Sequence, residues 1–413
     1  MSDPVILLAG TYDTKAAELG YMADIIRAQG GRVLAMDVSV LGEAAAPVQI
    51  DKHQVATAAG STIAQAIAAE DENAAMQIMA RGAAALAAGL AAQGRIGGAL
   101  VLGGSMGTDL ALDLCAALPL GVPKVVVSTV AFSHMIPPER LAPDIQMILW
   151  AGGLYGLNPI CRAALSQAAG AVLGAARAVE RPRGDRPLIG MTSFGKTVLR
   201  YMVALKPELA ARGYDLAVFH ATGMGGRAFE ALAAQGAFAA VMDFAPQELG
   251  NHLHGSGISA GPDRLTAAGR AGVAQIVAPG CADLIDLVGW QPFPPHLRDR
   301  PAHAHNRLLS SVQMTADERR AMARELAARL ARATGPAALI LPRGGLHEWD
   351  RAGAPLHDPQ GLAAFCTELA AACPPRDARS TRSASPASRS IPMTPPPATS
   401  APTTPPTPPR PTR

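Results

Sequence analysis

At 413 residues the chain has room for two to three domains, each with a full core, and at 49% hydrophobic but only 4% aromatic that core must be packed from Ala, Val, Leu and Ile. The formal net charge of +3 resides at the C-terminus, where six arginines stand against one aspartate beyond Pro374; the body itself carries about two net negative charges, which argues against nucleic-acid binding. Five scattered cysteines without a Cys-x-x-Cys suit neither a disulfide framework nor a zinc site, and point to a reducing compartment.

Met1 to Ala9 enters a strand directly, with no basic leader region, and no uninterrupted apolar run reaches the roughly 20 residues of a membrane helix; a cytoplasmic protein without membrane contact is expected. Short aliphatic runs then alternate with Ala-rich helical stretches, the pattern of mostly parallel sheets covered by helices. Val5–Leu8 is a strand ending in Gly10-Thr11-Tyr12-Asp13-Thr14-Lys15, with Asp13 placed to cap the helix carrying Leu19, Met22, Ile25 and Ile26. Gly30-Gly31 stops that helix and Val33–Met36 forms the next strand, ending at Asp37. Residues 61–93 are Ala-rich helices, Ala99–Leu102 is a strand ending in Gly103-Gly104-Ser105-Met106-Gly107-Thr108, and Val125–Val127 is a buried strand ending in Ser128-Thr129.

The polar stretch from Arg177 to Arg186 marks an interdomain break. Beyond it, strands are expected at Leu188–Thr192, Leu216–Phe219, Ala240–Met242, Gln275–Ala278 and Ala338–Leu341, with helices at 197–212, 226–235, 316–333 and 359–372. Two Rossmann-like doubly wound α/β domains therefore span 1–178 and 186–373. From Pro374 to Arg413 there are thirteen prolines and no aromatic residue, so too little apolar surface is available to offset ordering entropy, and a disordered tail is expected.

In open α/β sheets ligands sit beyond the carboxyl ends of strands, where helix N-termini present free N–H groups. The run Gly103, Gly104, Ser105, Gly107, Thr108 is the best anion cradle by that criterion. A tight strand-to-helix turn would account for one or two of its glycines, but not three. Gly10, Thr11, Asp13 and Lys15 form a second strand-end loop, in which Asp13 and Lys15 would place a magnesium ion or a phosphate, although a first-turn lysine is often merely solvated. Asp37 occupies the place of a ribose-binding acid, but no Gly-x-Gly-x-x-Gly precedes it, so ordinary NAD binding is not expected. Ser128 and Thr129 add hydroxyls at a third strand end. In the second half, His220 through Arg227 combines Thr222, Gly223, Gly225 and Gly226 with a histidine and an arginine; His220, Arg227 and Asp263 are the catalytic candidates, although a lone histidine there is more often a hydrogen-bonded structural group than a catalyst. Gly190 to Thr197 satisfies the Walker A spacing, but only Leu188 and Ile189 precede its first glycine as strand, and Met191-Thr192 continue that strand; a P-loop is not expected there, with Lys196 left free to face the ligand cleft. The alternating pairs His252/His254 and His303/His305 lack the carboxylate–cysteine partners of a structural metal site.

Taken in series, these stretches resemble the Tm-one-like ATP-binding domain family, bacterial proteins together with the N-terminal half of a plant tobamovirus-resistance protein. Gly10–Lys15 with Glu18, Asp37–Val40, Gly103–Thr108, Leu118–Lys124, Val127–Ala131, Gly156-Leu157-Asn158, Phe219–Glu230, Ser259–Leu265, Pro279-Gly280 with Asp283, and His305-Asn306 follow in family order over the whole body. The resemblance implies two Rossmann-like subdomains, ATP with Mg2+ in the glycine-rich loops, and a homodimer. Plant members continue into a TIM barrel, so a barrel partner would here be a separate polypeptide. The chain departs from the pattern at Gly153, where the family has an acid, at Ala245-Pro246-Gln247 in place of three threonines before Glu248, at Gln313 for an arginine, and at Lys196-Thr197-Val198. Those losses, mostly in the second half, suggest a retained nucleotide site beside an altered second-ligand site. The expected function is ATP binding coupled to phosphoryl or nucleotidyl transfer onto a small metabolite; the competing expectations are a non-catalytic nucleotide-binding regulatory module and a Rossmann-like enzyme that uses no nucleotide.

Overall fold

The computed structural model describes residues 3–69, 71–180 and 184–373; the expectation placed on residues 374–413 lies outside them. In the first half β1 (Val5–Gly10) leads to α1 (Ala16–Ala28) and β2 (Arg32–Asp37), then to three helices, α2 (Lys52–Ala58), α3 (Ile63–Ala68) and α4 (Glu72–Ala92). They are followed by β3 (Gly98–Gly103), α5 (Ser105–Ala117), β4 (Lys124–Ser128), β5 (Ile145–Leu149) and α6 (Pro159–Ala178). All five strands are parallel, in the order β2-β1-β3-β4-β5. Because side chains alternate across a strand, Leu7 and Ala9 join a core with Met79, Ala83 and Leu110, while Ile6 and Leu8 join another with Met22, Leu165 and Val172. Burial on both faces is the reason these strands read as continuous apolar runs.

Helix starts here follow side-chain chemistry. Asn158 accepts from the Ile160 and Cys161 amides with Pro159 in the first turn of α6, and Asp71 accepts from the Asn73 amide before α4. α4 alone among the described helices is long and apolar enough to cross a membrane by length and composition. Its Met76, Met79, Ala80, Ala83 and Ala87 pack into the first core, as an interior helix does. Asp13, expected to cap α1, does not: Lys15 is the N-cap residue without a side-chain bond, and Asp13 Oδ2 instead accepts from the Gly42 amide at 3.2 Å.

The second half repeats the scheme. β6 (Leu188–Ser193), α7 (Gly195–Ala211), β7 (Asp215–His220), α8 (Met224–Ala234), β8 (Ala240–Asp243), α9 (Gln247–Leu253), α10 (Ala267–Arg270) and β9 (Ala274–Val277) come first. Then follow β10 (Leu284–Val288), β11 (Ala302–Ala304), β12 (Leu309–Gln313), α11 (Ala316–Ala331), β13 (Ala337–Leu339) and α12 (Pro359–Ala372). Five of these strands form a second parallel sheet, β13-β9-β8-β6-β7. The other three, β10-β12-β11, form a small antiparallel sheet that the hydrophobic pattern did not announce, since Ser310, Ser311, Gln313 and His303 give it a polar character. α11 opens on a capping box of Thr315 and Glu318. Cys115, Cys161 and Cys281 are buried free thiols.

Candidate functional site

In the first sheet β1 continues to β2 on one side and to β3 on the other, so the strand order reverses between β1 and β3, the place where an open α/β sheet opens a crevice. A pocket of about 310 Å³ lies there, and its lining joins both glycine loops: Gly10, Thr11, Thr14 and Lys15 from the end of β1, and Gly103, Gly104, Ser105, Met106 and Gly107 from the end of β3. Val38, Met76, Val101 and Leu110 supply an apolar wall.

Gly104 is the N-cap of α5, in extended conformation and without a side-chain cap, and the helix closes with Thr108 N–H on the Gly104 carbonyl. The amides of Ser105, Met106 and Gly107 therefore have no partner within the helix, and they carry the positive end of its dipole. The glycines differ in their reasons. A Cβ on Gly103 would run into the Gly107 backbone, so this glycine lets strand and helix pack closely. A Cβ on Gly104 would meet only Thr129 Oγ1 at 3.8 Å, and Gly104 has φ −71°. Neither packing nor backbone strain within the chain demands glycine at 104.

Other expected residues are placed differently. Thr108 is buried behind the loop, its hydroxyl 2.7 Å from Ser128 Oγ, which also accepts from the Val130 amide at 3.0 Å. Thr108 and Ser128 tie α5 to β4 and do not line the pocket. Thr108→Val is accordingly expected to lower stability by about 1 kcal/mol and to leave ligand affinity unchanged, as chemical denaturation alongside titration calorimetry would show. Asp37 is not in the pocket lining: it is buried, and its Oδ1 accepts from the Tyr12 and Ser39 amides and from the Ser39 hydroxyl. No carboxylate is in the pocket lining: Asp13 lies outside it, with Oδ2 on the Gly42 amide and Oδ1 buried without a hydrogen-bond partner, so no carboxylate of the chain faces the pocket to hold a magnesium ion there. Lys15 lines the pocket, its ammonium also 5.6 Å from the centre of the Tyr155 ring.

The second glycine loop holds an anion already, and it belongs to the chain. Glu248 Oε1 accepts from the Gly223 amide at 2.5 Å and the Gly226 amide at 3.1 Å, at the N-terminus of α8. A ligand phosphate cannot use the same amides, so Gly223 and Gly226, expected to hold a cofactor together with Thr222 and Gly225, have their amides occupied by the chain itself. Glu248 is fully buried; burial pushes its carboxyl up to about 7, opposed by Arg264 and the two amides. Arg264, fully buried, binds Glu248 through Nε at 2.9 Å, pairs with both oxygens of Asp243, and reaches Glu230 at 3.1 Å. Glu230 in turn accepts from the Leu265 and Ala267 amides at the start of α10.

The catalytic candidates are each engaged within the chain. Arg227 donates to the Ala260 carbonyl at 3.0 Å and to the Glu139 carbonyl of the first half, so it acts as a strut between halves. Asp263 is exposed and paired with Arg270 at 2.9 Å. His220 is exposed and stacks on Phe194. The Walker-like run is strand and helix: Gly190 to Ser193 belong to β6, Phe194 alone separates it from α7, and the absent Cβ of Gly190 faces Phe229 and Phe238. No loop remains there to wrap a phosphate, and Lys196 sits exposed in the first turn of α7. Two departures from the family pattern also have structural employment, Gln247 donating to the Ala221 carbonyl and Gln313 to the Leu356 carbonyl at 2.7 Å.

Comparison with known proteins places these features in a family. The N-terminal domain of the "Uncharacterised protein family (UPF0261)" matches residues 4–181, and its C-terminal domain matches residues 186–385. A UPF0261 protein of Brucella melitensis is 56% identical over 368 residues, covering 89% of this chain and 88% of that one. One from Clostridium tetani is 36% identical over 349 residues, 84% of this chain and 86% of that one. The ToMV resistance protein Tm-1(GCR237) of Solanum lycopersicum is a distant, partial relative, 29% identical over 282 residues, which are 66% of this chain and 37% of that protein. Among solved structures, an E. coli ADP-heptose lps heptosyltransferase II overlays 90% of this chain and 98% of its own at 11% identity, with a TM-score of 0.21. The two domain matches and the full-length relatives lead to one conclusion: the chain belongs to the UPF0261 family.

Proposed function

We propose that this protein binds a nucleotide, ATP, in the pocket between β1 and β3. The observation that carries the reading is the free first turn of α5 facing a pocket at the sheet's switch point, with empty space where a Cβ of Gly104 would stand. The amides of Ser105, Met106 and Gly107 would take phosphate oxygens, the Ser105 hydroxyl would add a donor, and Lys15 would neutralise charge. Val38, Met76, Val101 and Leu110 would receive the base. ATP would supply a transferable phosphoryl or nucleotidyl group, for which a hydroxyl- or carboxylate-bearing metabolite is the proposed acceptor. One observation favours a non-catalytic second reading, in which ATP sets a conformation read by a partner: the glycine loop of the second half is filled by Glu248 and offers no cradle to an acceptor.

Thermal-shift measurement tests the ligand. ATP at 100 times its dissociation constant should add roughly 2.7 kcal/mol of stability, and adenosine much less, since most contacts are to phosphate. A protein that ATP, ADP and GTP all leave unshifted, while a phosphorylated metabolite shifts it, would replace the nucleotide in this pocket by that metabolite.

A further inference from the structure

The second parallel sheet repeats the topology of the first. β6 continues to β7 on one side and to β8 on the other, so its strand order reverses between β6 and β8. A crevice is expected there, beyond the carboxyl ends of the strands. A cavity of about 400 Å³ occupies that place, within the range of small-molecule sites. Four strand ends meet in its lining: Thr197 in the first turn of the helix after β6, Phe244 just past β8, Ala278 and Gly280 past β9, and Ile340 past β13. The glycine loop that Glu248 closes follows β7 and is not part of it.

The rest of the wall comes from the segment between Ile340 and Arg351, which two bonds hold in place. The Glu348 amide donates to Thr197 Oγ1 at 3.3 Å, and the Cys281 amide donates to the Leu346 carbonyl at 2.8 Å. This segment brings His347 to the cavity, its side chain wholly shielded from solvent. Neither ring nitrogen has a hydrogen-bond partner among the described residues. Nε2 faces Asp283 Oδ2 at 3.3 Å. Burial raises the Asp283 carboxyl, but His347 and Arg319 beside it outweigh that and hold it below its ordinary value. Nδ1 is left over. Buried polar nitrogens nearly always have a partner, and here it must come from outside the chain. Arg200 and Arg351 also line the cavity, with side chains 77% and 54% exposed, and both flank the one carboxylate of Glu348. One guanidinium charge is therefore in excess. A water molecule would satisfy Nδ1, but it would leave that charge and the apolar surface of Tyr201, Phe244 and Ile340 unused.

We propose that this cavity binds a small organic anion, a carboxylate or phosphate monoester with an apolar body. The oxyanion takes Arg200 and Arg351, whose planar guanidiniums match the edge of a carboxylate or phosphate. The body lies on Tyr201, Phe244 and Ile340, and a polar group at its inner end reaches His347 Nδ1. The site is independent of the nucleotide pocket between β1 and β3, since no residue lines both.

Titration calorimetry of the full chain tests the site, with 4-hydroxybenzoate, phenyl phosphate and the uncharged 4-hydroxybenzamide as probes. At least one anion should bind, and the amide roughly 10-fold or more weakly, as befits the loss of a charge-assisted contact; the anion that binds identifies the head group. If neither anion binds at millimolar concentration, or the amide binds equally well, the proposal is overturned. Two variants locate the binding. Gly344 lines the cavity and a Cβ there meets nothing within 4 Å, so Gly344→Leu takes up space without displacing the chain. Both Gly344→Leu and Arg200→Gln should keep the melting temperature of the parent and weaken the anion by roughly 10-fold or more. Undiminished binding in both folded variants puts the anion elsewhere. The nitrogen-15 resonance of His347 Nδ1 should move with the anion and not with ATP; an unmoved resonance removes His347 from the site. Gly104→Val should leave anion binding unchanged, so that this site and the nucleotide pocket stand or fall separately.

Discussion

Gly104→Val is expected to abolish ATP binding in a protein that still folds. The backbone at 104 is extended, with φ −71° and ψ −156°, a region a β-branched residue occupies without strain. The nearest atom to the added Cβ is Thr129 Oγ1 at 3.8 Å, so the apo protein has room for it. A bound phosphate has none, because an oxygen seated on the first-turn amides of α5 must pass the same place. Affinity should fall by about 100-fold or more, ~2.8 kcal/mol, while the melting temperature without ligand stays near that of the parent. Gly103→Ala is the contrasting variant: its Cβ strikes the Gly107 backbone, and overpacking of that kind costs about 1–3 kcal/mol of stability. Titration calorimetry and thermal melts of both variants separate a ligand glycine from a packing glycine. Undiminished ATP affinity in folded Gly104→Val would place the nucleotide elsewhere.

Arg264→Met is expected to be the most destabilising single substitution in the second half. One guanidinium, fully buried, faces three carboxylates, Asp243, Glu248 and Glu230. Removing it leaves those acids buried without a cation, for which about 3–5 kcal/mol is the usual loss. Denaturant unfolding should show it as a lower midpoint. Glu248→Gln should be far milder, since an amide oxygen still accepts from Gly223 and Gly226 and the cluster loses one of its excess negative charges. It should also change the pH profile. Burial lifts the Glu248 carboxyl from 4.5 to about 7, so the folded state holds its proton more tightly than the unfolded chain. The stability this contributes is complete below pH 4.5 and is lost as pH rises through 7. Glu248→Gln should flatten that decline; an unaltered slope would mean that another acid carries the proton.

Much of the fold was legible because its signals are local. Val5–Leu8, Ala99–Leu102 and Val125–Val127 are buried on both faces, so each shows as an uninterrupted aliphatic run that needs no knowledge of its neighbours. β5 and the three antiparallel strands escaped notice for the opposite reason. An edge strand with half-exposed side chains, or a strand such as Leu309–Gln313 whose buried face carries Ser311 and Gln313, is apolar only in part. Its pairing is decided by partners distant in the chain.

The glycine loops show the same division. That Gly103–Thr108 turns from strand to helix and leaves free amides follows from the sequence itself, because a glycine run after an aliphatic strand and before an amphipathic stretch has few other conformations. That Gly10–Lys15 shares a pocket with it, while His220–Arg227 is closed by Glu248, follows from the tertiary structure alone. Both loops have the composition of an anion cradle, and local composition cannot reveal a carboxylate arriving from 22 residues away. The sequence by itself determined the buried parallel strands, the alternation of those strands with helices, and the strand ends at which ligands would gather. Long-range packing decided which of those ends stayed open, because a buried amide takes whichever acceptor the fold brings to it, and in the second half the fold brings its own.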